Sequence, residues 1–248
     1  MQKFKYGNYP PPILPGLEKY VDLSPAESTK GNSLYFSPSP ASLDPFCLKI
    51  CECCNFTSTW QMPIVHSVQD MKILEYEIMG YDRISNTHRS SYGTHFYCAD
   101  NKILSSLRSA LRVYDRIKRQ PFVIGPDFSI KMNMLLAQKL MNSFAGKLIT
   151  AWYQYMGTTA VANVAWADIN LIEAYLDGYP KNSIIAINST GIARSKRATE
   201  NWLAGYKYVI EVLNPIAIIR YGSVIKGEIE SISYYKRNDN FKSCNYGW

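Results

Sequence analysis

Apolar and polar positions alternate in two rhythms along this chain. Continuous apolar runs occur at THFYCAD (94–100), FVIGPD (122–127), TAVANVAW (159–166), SIIAINST (183–190) and IAIIRYG (216–222). Each reads as a short strand covered on both faces. Segments with helical spacing lie between them. Residues 101–120 set Ile103, Leu104, Leu107, Leu111 and Tyr114 on one stripe, with Asp100 or Asn101 as a cap and Gln120-Pro121 as a stop. Residues 130–157 predict a long helix that could break at Gly146 and ends at Gly157. Residues 167–180 predict a short helix ended by Gly178 and Pro180, and residues 195–213 one with Trp202, Tyr206, Val209, Ile210 and Leu213 on a single face.

Repeated alternation of strand and helix predicts an α/β fold with a mainly parallel sheet. Five clear strands, with MPIVH (62–66) and SVIKGEIESISYY (223–235) as extras, fit a small or incomplete (β/α) barrel-like arrangement. They fit an open doubly wound sheet equally well. The first 45 residues are rich in Pro, Ser and Tyr and read as an extended arm or tail. The expected organisation is an N-terminal arm with a cysteine cluster (1–59), an α/β domain (60–235) and a C-terminal tail (236–248).

Composition adds little until charge is considered. With 248 residues, 47% hydrophobic and 19% charged, the chain has the make-up of a globular protein. No apolar run approaches the roughly 20 residues of a membrane span, and the basic start has no apolar core ahead of its prolines. A cytoplasmic location without a membrane partner is the expectation. The net charge of +7 favours an anionic partner, a nucleotide or nucleic acid among them. Arg108, Arg112 and Arg116 form one stripe that could follow phosphates or simply be the wet face of an amphipathic helix. Cys47, Cys51, Cys53 and Cys54 have the spacing C-x3-C-x-C-C, which is awkward for one metal. Packed thiols are the simpler reading, with His66 or His88 needed to complete a mixed site. No cofactor motif is present, and the cofactor is left open.

Candidate chemistry follows from the topology. In parallel α/β folds ligands collect at the carboxyl ends of strands, where loops and helix N-termini converge. Those ends supply Asp100, Asp127, Trp166 with Asp168, Ser189-Thr190-Gly191, and Arg220-Tyr221-Gly222. Asp127, Asp168 and Asp100 are the candidate catalytic acids, and each could instead cap the helix that follows it. Trp166 and Tyr221 could stack on a ring. His95 lies inside a strand and reads as a core histidine or a ligand. The segment NSTGIARSKRATENW is an anion-cradle candidate through Ser189, Thr190, Gly191, Arg194 and Arg197, although it lacks a Walker pattern. Capping by Ser195 is the alternative.

The pieces THFYCADNKI, GPDFSI, NVAWAD, AINSTG and NPIAIIRYG, in this order over about residues 62–222, resemble the family catalogued as domain of unknown function 4417, found in bacteria, phages and mobile elements. The resemblance implies a phage or mobile-element origin and the importance of Asp127, and it brings no activity. In the usual pattern an arginine follows the midpoint of the long helix. Here only Lys147 could take that basic role. The residues point to an enzyme or sensor for a phosphate-bearing nucleotide, nucleoside or nucleic-acid terminus. The alternative is a non-catalytic nucleic-acid- or protein-binding accessory that uses the basic helix.

Overall fold

A computed structural model describes residues 48–84, 92–223, 225–229 and 233–235. Cys47, His88, the Pro/Ser/Tyr-rich segment and the tail from 236 lie outside the described residues. Seven strands form one sheet: β1 (Ile78–Gly80), β2 (Gly93–His95), β3 (Val123–Ile124), β4 (Ala160–Asn163), β5 (Ile184–Asn188), β6 (Ala217–Tyr221) and β7 (Ser233–Tyr235). Their spatial order is their chain order, and all six neighbouring pairs are parallel. A doubly wound sheet reverses its order part-way across. This one does not, and it curls into a half-barrel.

The two faces are sorted by the period-2 alternation of the strands. Ile185, Ile187, Ile218 and Arg220 point outward to α6 (Ile172–Leu176) and α7 (Lys196–Leu213), where Tyr175, Trp202, Tyr206 and Val209 bury them. Val123 and Ala160 point outward to α5 (Leu136–Tyr155) and the helices that precede β3. The inward set is Ile78, Phe122, Ile124, Val161, Ile184, Ala186, Ala217 and Ile219. Val68, Ile73 and Leu74 plug it at the amino ends of the strands, where Ile184 N–H donates to the Val68 carbonyl. The inward rows of β5 and β6 then turn polar toward the carboxyl end: Ile184, Ala186, Asn188 on β5 and Ala217, Ile219, Tyr221 on β6. A dry floor and a polar mouth result.

Several expected elements differ in the structure. Residues 62–66 carry Pro63, which lacks a ladder donor. They contribute one antiparallel bridge, Phe56 to Pro63, and Val65 N–H bonds Gly178 O. The first strand is Ile78–Gly80 instead, three residues too short to show a pattern. The helical stretch 101–120 is three pieces, α2 (Asp100–Ile103), α3 (Ser105–Arg108) and α4 (Ala110–Ile117). Ser105 and Ser106 hydroxyls each donate to the carbonyl three residues back, at 2.7 Å, competing with the helix ladder. Ser109 leaves helical geometry (φ −138°, ψ 48°). The phase shifts at that break, so Val113 and Ile117 are buried and Leu111 is 65% exposed. The long helix starts at Leu136, six residues later than its spacing predicts, and runs through Gly146 without a break. A short helix, α1 (Leu48–Cys51), and the turn after it pack Cys51 and Cys54 against α5. The Cys54 thiol bonds Ile50 O and Leu148 O, and burial pushes its pKa up to about 12.

Close helix-to-loop packing beside the mouth depends on Gly205 of α7. A Cβ there would lie 2.0 Å from the Trp166 indole nitrogen and 2.4 Å from its Cδ1. Trp166 is buried and packs against Trp202 with ring centroids 5.5 Å apart and planes tilted by 32°, so it has little room to yield. Gly205→Ala is expected to lower stability by about 1–3 kcal/mol, the usual cost of overpacking. A urea denaturation series checks this, and an unchanged midpoint would mean the indole moves freely.

Candidate functional site

The residues after β3 determine the mouth. Asp127 follows Gly125-Pro126 at the carboxyl end of the strand, half-buried. It does not cap a helix, because α5 begins nine residues further on. Its carboxylate is instead held by two strand-end amides. Asn163, last residue of β4, donates from Nδ2 to Asp127 Oδ1 at 2.8 Å, and Asn188, last residue of β5, donates to Oδ2 at 2.9 Å. Each asparagine is in turn fixed. Tyr97 O–H donates to Asn163 Oδ1 at 3.0 Å, and Thr190 N–H donates to Asn188 Oδ1 at 2.8 Å. Burial raises the Asp127 pKa, the two amides oppose this, and the nearby charge of Asp100 adds to the rise. Among the described residues no cation forms an ion pair with it.

Asp127 borders a pocket of about 230 Å³ at the ends of β3, β4 and β5. Its polar lining comes from Asp127, Ser129, Lys131, Asn188 and Thr190. Its apolar walls are Ile130, Val164, Ala165, Ile192 and the indoles of Trp166 and Trp202. The sequence-predicted residues Asp127, Trp166 and Thr190 therefore meet at one cavity.

The other candidates hold the rim in place or lie beyond it. The Asp100 carboxylate accepts from Ser129 N–H (3.3 Å) and Oγ (3.1 Å), tying the loop after β2 to the loop after β3. Asp168 forms an ion pair with Lys139 at 2.6 Å, and Lys139 also donates to Met132 O, which joins the loop after β4 to the start of α5. Neither acid lines the pocket. Ser189 is buried and donates to Ser223 O at 2.6 Å. Gly191 takes φ +83° at the turn, and Arg194 and Arg197 are exposed and do not line the pocket. Ser195 does cap α7, accepting from Ala198 N–H. Tyr221 faces inward, stacks on Tyr97 at 4.5 Å and meets the His95 ring at 4.9 Å in a tilted contact. The adjoining Gly222 has φ +96°, and a Cβ on it would lie 2.7 Å from Thr190 N, so the Tyr-Gly pair allows the β6 loop to nest against the pocket turn.

His95 is the packed histidine of the inward face. Its Nδ1 accepts from Tyr97 N–H at 3.1 Å, and burial lowers its pKa to about 4, so it is neutral. Arg116 of the basic stripe donates to Tyr81 O and Ile84 O and lies 4.6 Å over the Tyr81 ring. With the helix broken at Ser109, the three arginines do not share one continuous helix. No group of three or more His, Cys, Asp or Glu side chains able to hold a metal occurs among the described residues.

Asn163, Asn188 and Tyr97 were not singled out by the sequence reading, although the asparagines carry a legible signal. Both end a continuous apolar run, AVAN and IIAIN, at an inward register position. A polar residue that closes a buried strand on its inner face is placed to meet whatever occupies the mouth.

Residues 54–236 match the family described as Domain of unknown function (DUF4417), and the chain belongs to it. It is similar to the Gene 1 protein of Mycobacterium phage L5, 30% identical over 130 residues that cover 52% of this chain and 57% of that protein. It is also similar to the Gene 1 protein of Mycobacterium phage D29, 22% identical over 197 residues, 77% of this chain and 70% of that one. The alignment thus spans just over half the length of the L5 relative. Both proteins are phage products, and the family is phage-associated. No solved structure matches the chain. No helix among the described residues is long and apolar enough to cross a membrane.

Proposed function

We propose that the mouth of the half-barrel binds a nucleoside or nucleotide, with Asp127 as the group that engages it and, in a reaction, accepts its proton. One observation carries this reading. A half-buried carboxylate, without a paired cation among the described residues, is held by two amides and lines a cavity. Desolvating a carboxylate is costly, and the arrangement recovers only part of that cost within the fold. At about 230 Å³ the pocket is below the roughly 300–1,000 Å³ of drug-sized sites and suits a base with part of a sugar. The apolar walls of Val164, Ile130 and Ile192 accept a flat ring. A phosphate would meet Thr190 and Lys131 of the lining, with the exposed Arg194 and Arg197 of the segment that follows Thr190 adding positive charge.

Thermal denaturation with the four ribonucleoside 5′-monophosphates at millimolar concentration tests the reading. At least one is expected to raise the wild-type melting temperature by a few degrees, since a ligand at 100 times its Kd adds about 2.7 kcal/mol. Asp127→Ala should abolish the shift, and Arg197→Ala should reduce it for the nucleotide more than for its nucleoside. If none of the four moves the wild-type curve, the pocket is not a nucleotide site.

A further inference from the structure

The hydrogen bonds already made by Asp127 restrict what the pocket can hold. An ionised carboxylate has about four acceptor sites, two on each oxygen. Asn163 takes one on Oδ1 and Asn188 one on Oδ2, which leaves one acceptor site on each oxygen for a group in the pocket that Asp127 lines. Two parallel acceptors about 2.2 Å apart are complementary to two adjacent N–H donors on one planar group, the bidentate geometry in which carboxylates bind most strongly. Asn188 cannot turn to offer a different pattern, because its Oδ1 is held by Thr190 N–H.

Among the common bases this requirement is selective. Guanine presents adjacent donors at N1–H and N2–H on its pairing edge. Adenine and cytosine present an amino donor beside a ring-nitrogen lone pair, which would face a carboxylate oxygen directly. Uracil presents one N–H between two carbonyls. We propose that the nucleoside bound at this mouth is a guanine nucleoside, with N1–H and N2–H on the two oxygens of Asp127. The ring then lies between the apolar side chains of the β4 and β5 loops, and its O6 falls on the side of Thr190 and the second amide hydrogen of Asn188. This inference rests on the nucleoside reading above and narrows it.

Isothermal titration of the wild-type protein with guanosine, inosine, adenosine and cytidine at pH 7.5 tests it. Guanosine should bind tightest. Inosine lacks only the 2-amino group and should bind roughly tenfold to a hundredfold more weakly, the loss of one charge-assisted hydrogen bond. Adenosine and cytidine should bind no better than inosine. Asp127→Asn, which turns one acceptor into a donor at nearly constant shape, should bring guanosine down to the level of adenosine. The wild-type comparison of guanosine with inosine decides the matter even if that variant folds poorly. Methylguanidine, which carries the same donor pair without the ring, should compete only weakly. If it competes as well as guanosine, the site reads a guanidinium and the base assignment is wrong. Adenosine or cytidine binding as tightly as guanosine overturns the assignment but leaves a nucleoside pocket. No binding by any of the four overturns both.

Discussion

Glu228→Ala is expected to lower the unfolding free energy by about 3–5 kcal/mol, the usual result of removing one partner from a buried ion pair. The pair is closed to solvent, with side-chain exposures of 0% for Arg220 and 1% for Glu228. Arg220 Nε and Nη2 donate to the two carboxylate oxygens at 2.6 and 2.7 Å. The remaining guanidinium hydrogens go to the carbonyls of Ile187, Tyr221 and Ser223, so all five donors are used, and the group lies 4.9 Å over the Trp202 ring. Without Glu228 a full positive charge remains in the outer core with only dipoles around it. Ile225 N–H also loses its acceptor. For a chain of this size the melting temperature should fall by roughly 10 °C. Arg220→Met combined with Glu228→Leu should recover much of the loss, because an apolar pair carries no desolvation cost. Urea midpoints of wild type, single and double variants check this. A single variant as stable as wild type would mean that the pair is solvated. Ser223 O accepts from Ser189, so the single variant should also loosen the pocket turn and weaken any ligand shift more than global stability alone predicts.

That ion pair shows where sequence reasoning ended. IAIIRYG is legible as a buried strand ending at the mouth, and Tyr221 can be placed there. Arg220, which the sequence places with Tyr221 and Gly222 at the mouth, is instead the outward, buried member, and nothing local marks it so, because its partner lies eight residues on in a loop without periodic pattern. The same limit applies to the site. Asp127 could be read from GPDFS, and Trp166 and Thr190 from the ends of their strands, because topology alone brings strand ends together. The ion pair of Asp168 with Lys139 and the bonds from Ser129 to Asp100 are contacts between separate loops, set by three-dimensional packing. Strand order was also open. Alternation of apolar runs is common to barrels and doubly wound sheets, and only the pairing register separates them. The broken helix before β3 was concealed for a different reason. Its serines have tolerable helix propensity, and their hydroxyls compete with the backbone only in some contexts.

Lys147→Met is expected to stabilise the protein, and the gain should depend on pH in a defined direction. Lys147 is fully buried on α5, where Nζ donates to Ser143 Oγ at 2.6 Å and sits 4.3 Å over the Tyr179 ring. The charge of Asp177 favours the ammonium from a distance. That carboxylate accepts from the Thr57 hydroxyl and Trp60 N–H. Burial outweighs it and lowers the lysine pKa to about 7 from an ordinary 10.5. Above pH 10.5 both folded and unfolded chains hold a neutral amine and no penalty arises. As pH falls toward 7 the unfolded chain binds a proton that the folded chain does not, so stability declines with falling pH. Below about 7 the folded protein carries the buried charge, and the full difference, on the order of 4–5 kcal/mol, is present. Methionine keeps a similar length without a charge, and Ser143 can turn its hydroxyl back to its own helix. The variant should therefore gain a few kcal/mol at pH 6–7 and little at pH 10, read from denaturation midpoints across that range. A gain independent of pH would indicate better packing alone, and a loss would show that the ammonium is needed. Tyr179 makes the second case consequential, because its hydroxyl donates to Asn163 O at 2.5 Å and Asn163 holds Asp127. A lysine that must stay charged would link that outer layer to the pocket, and the methionine variant would then lose ligand binding together with stability.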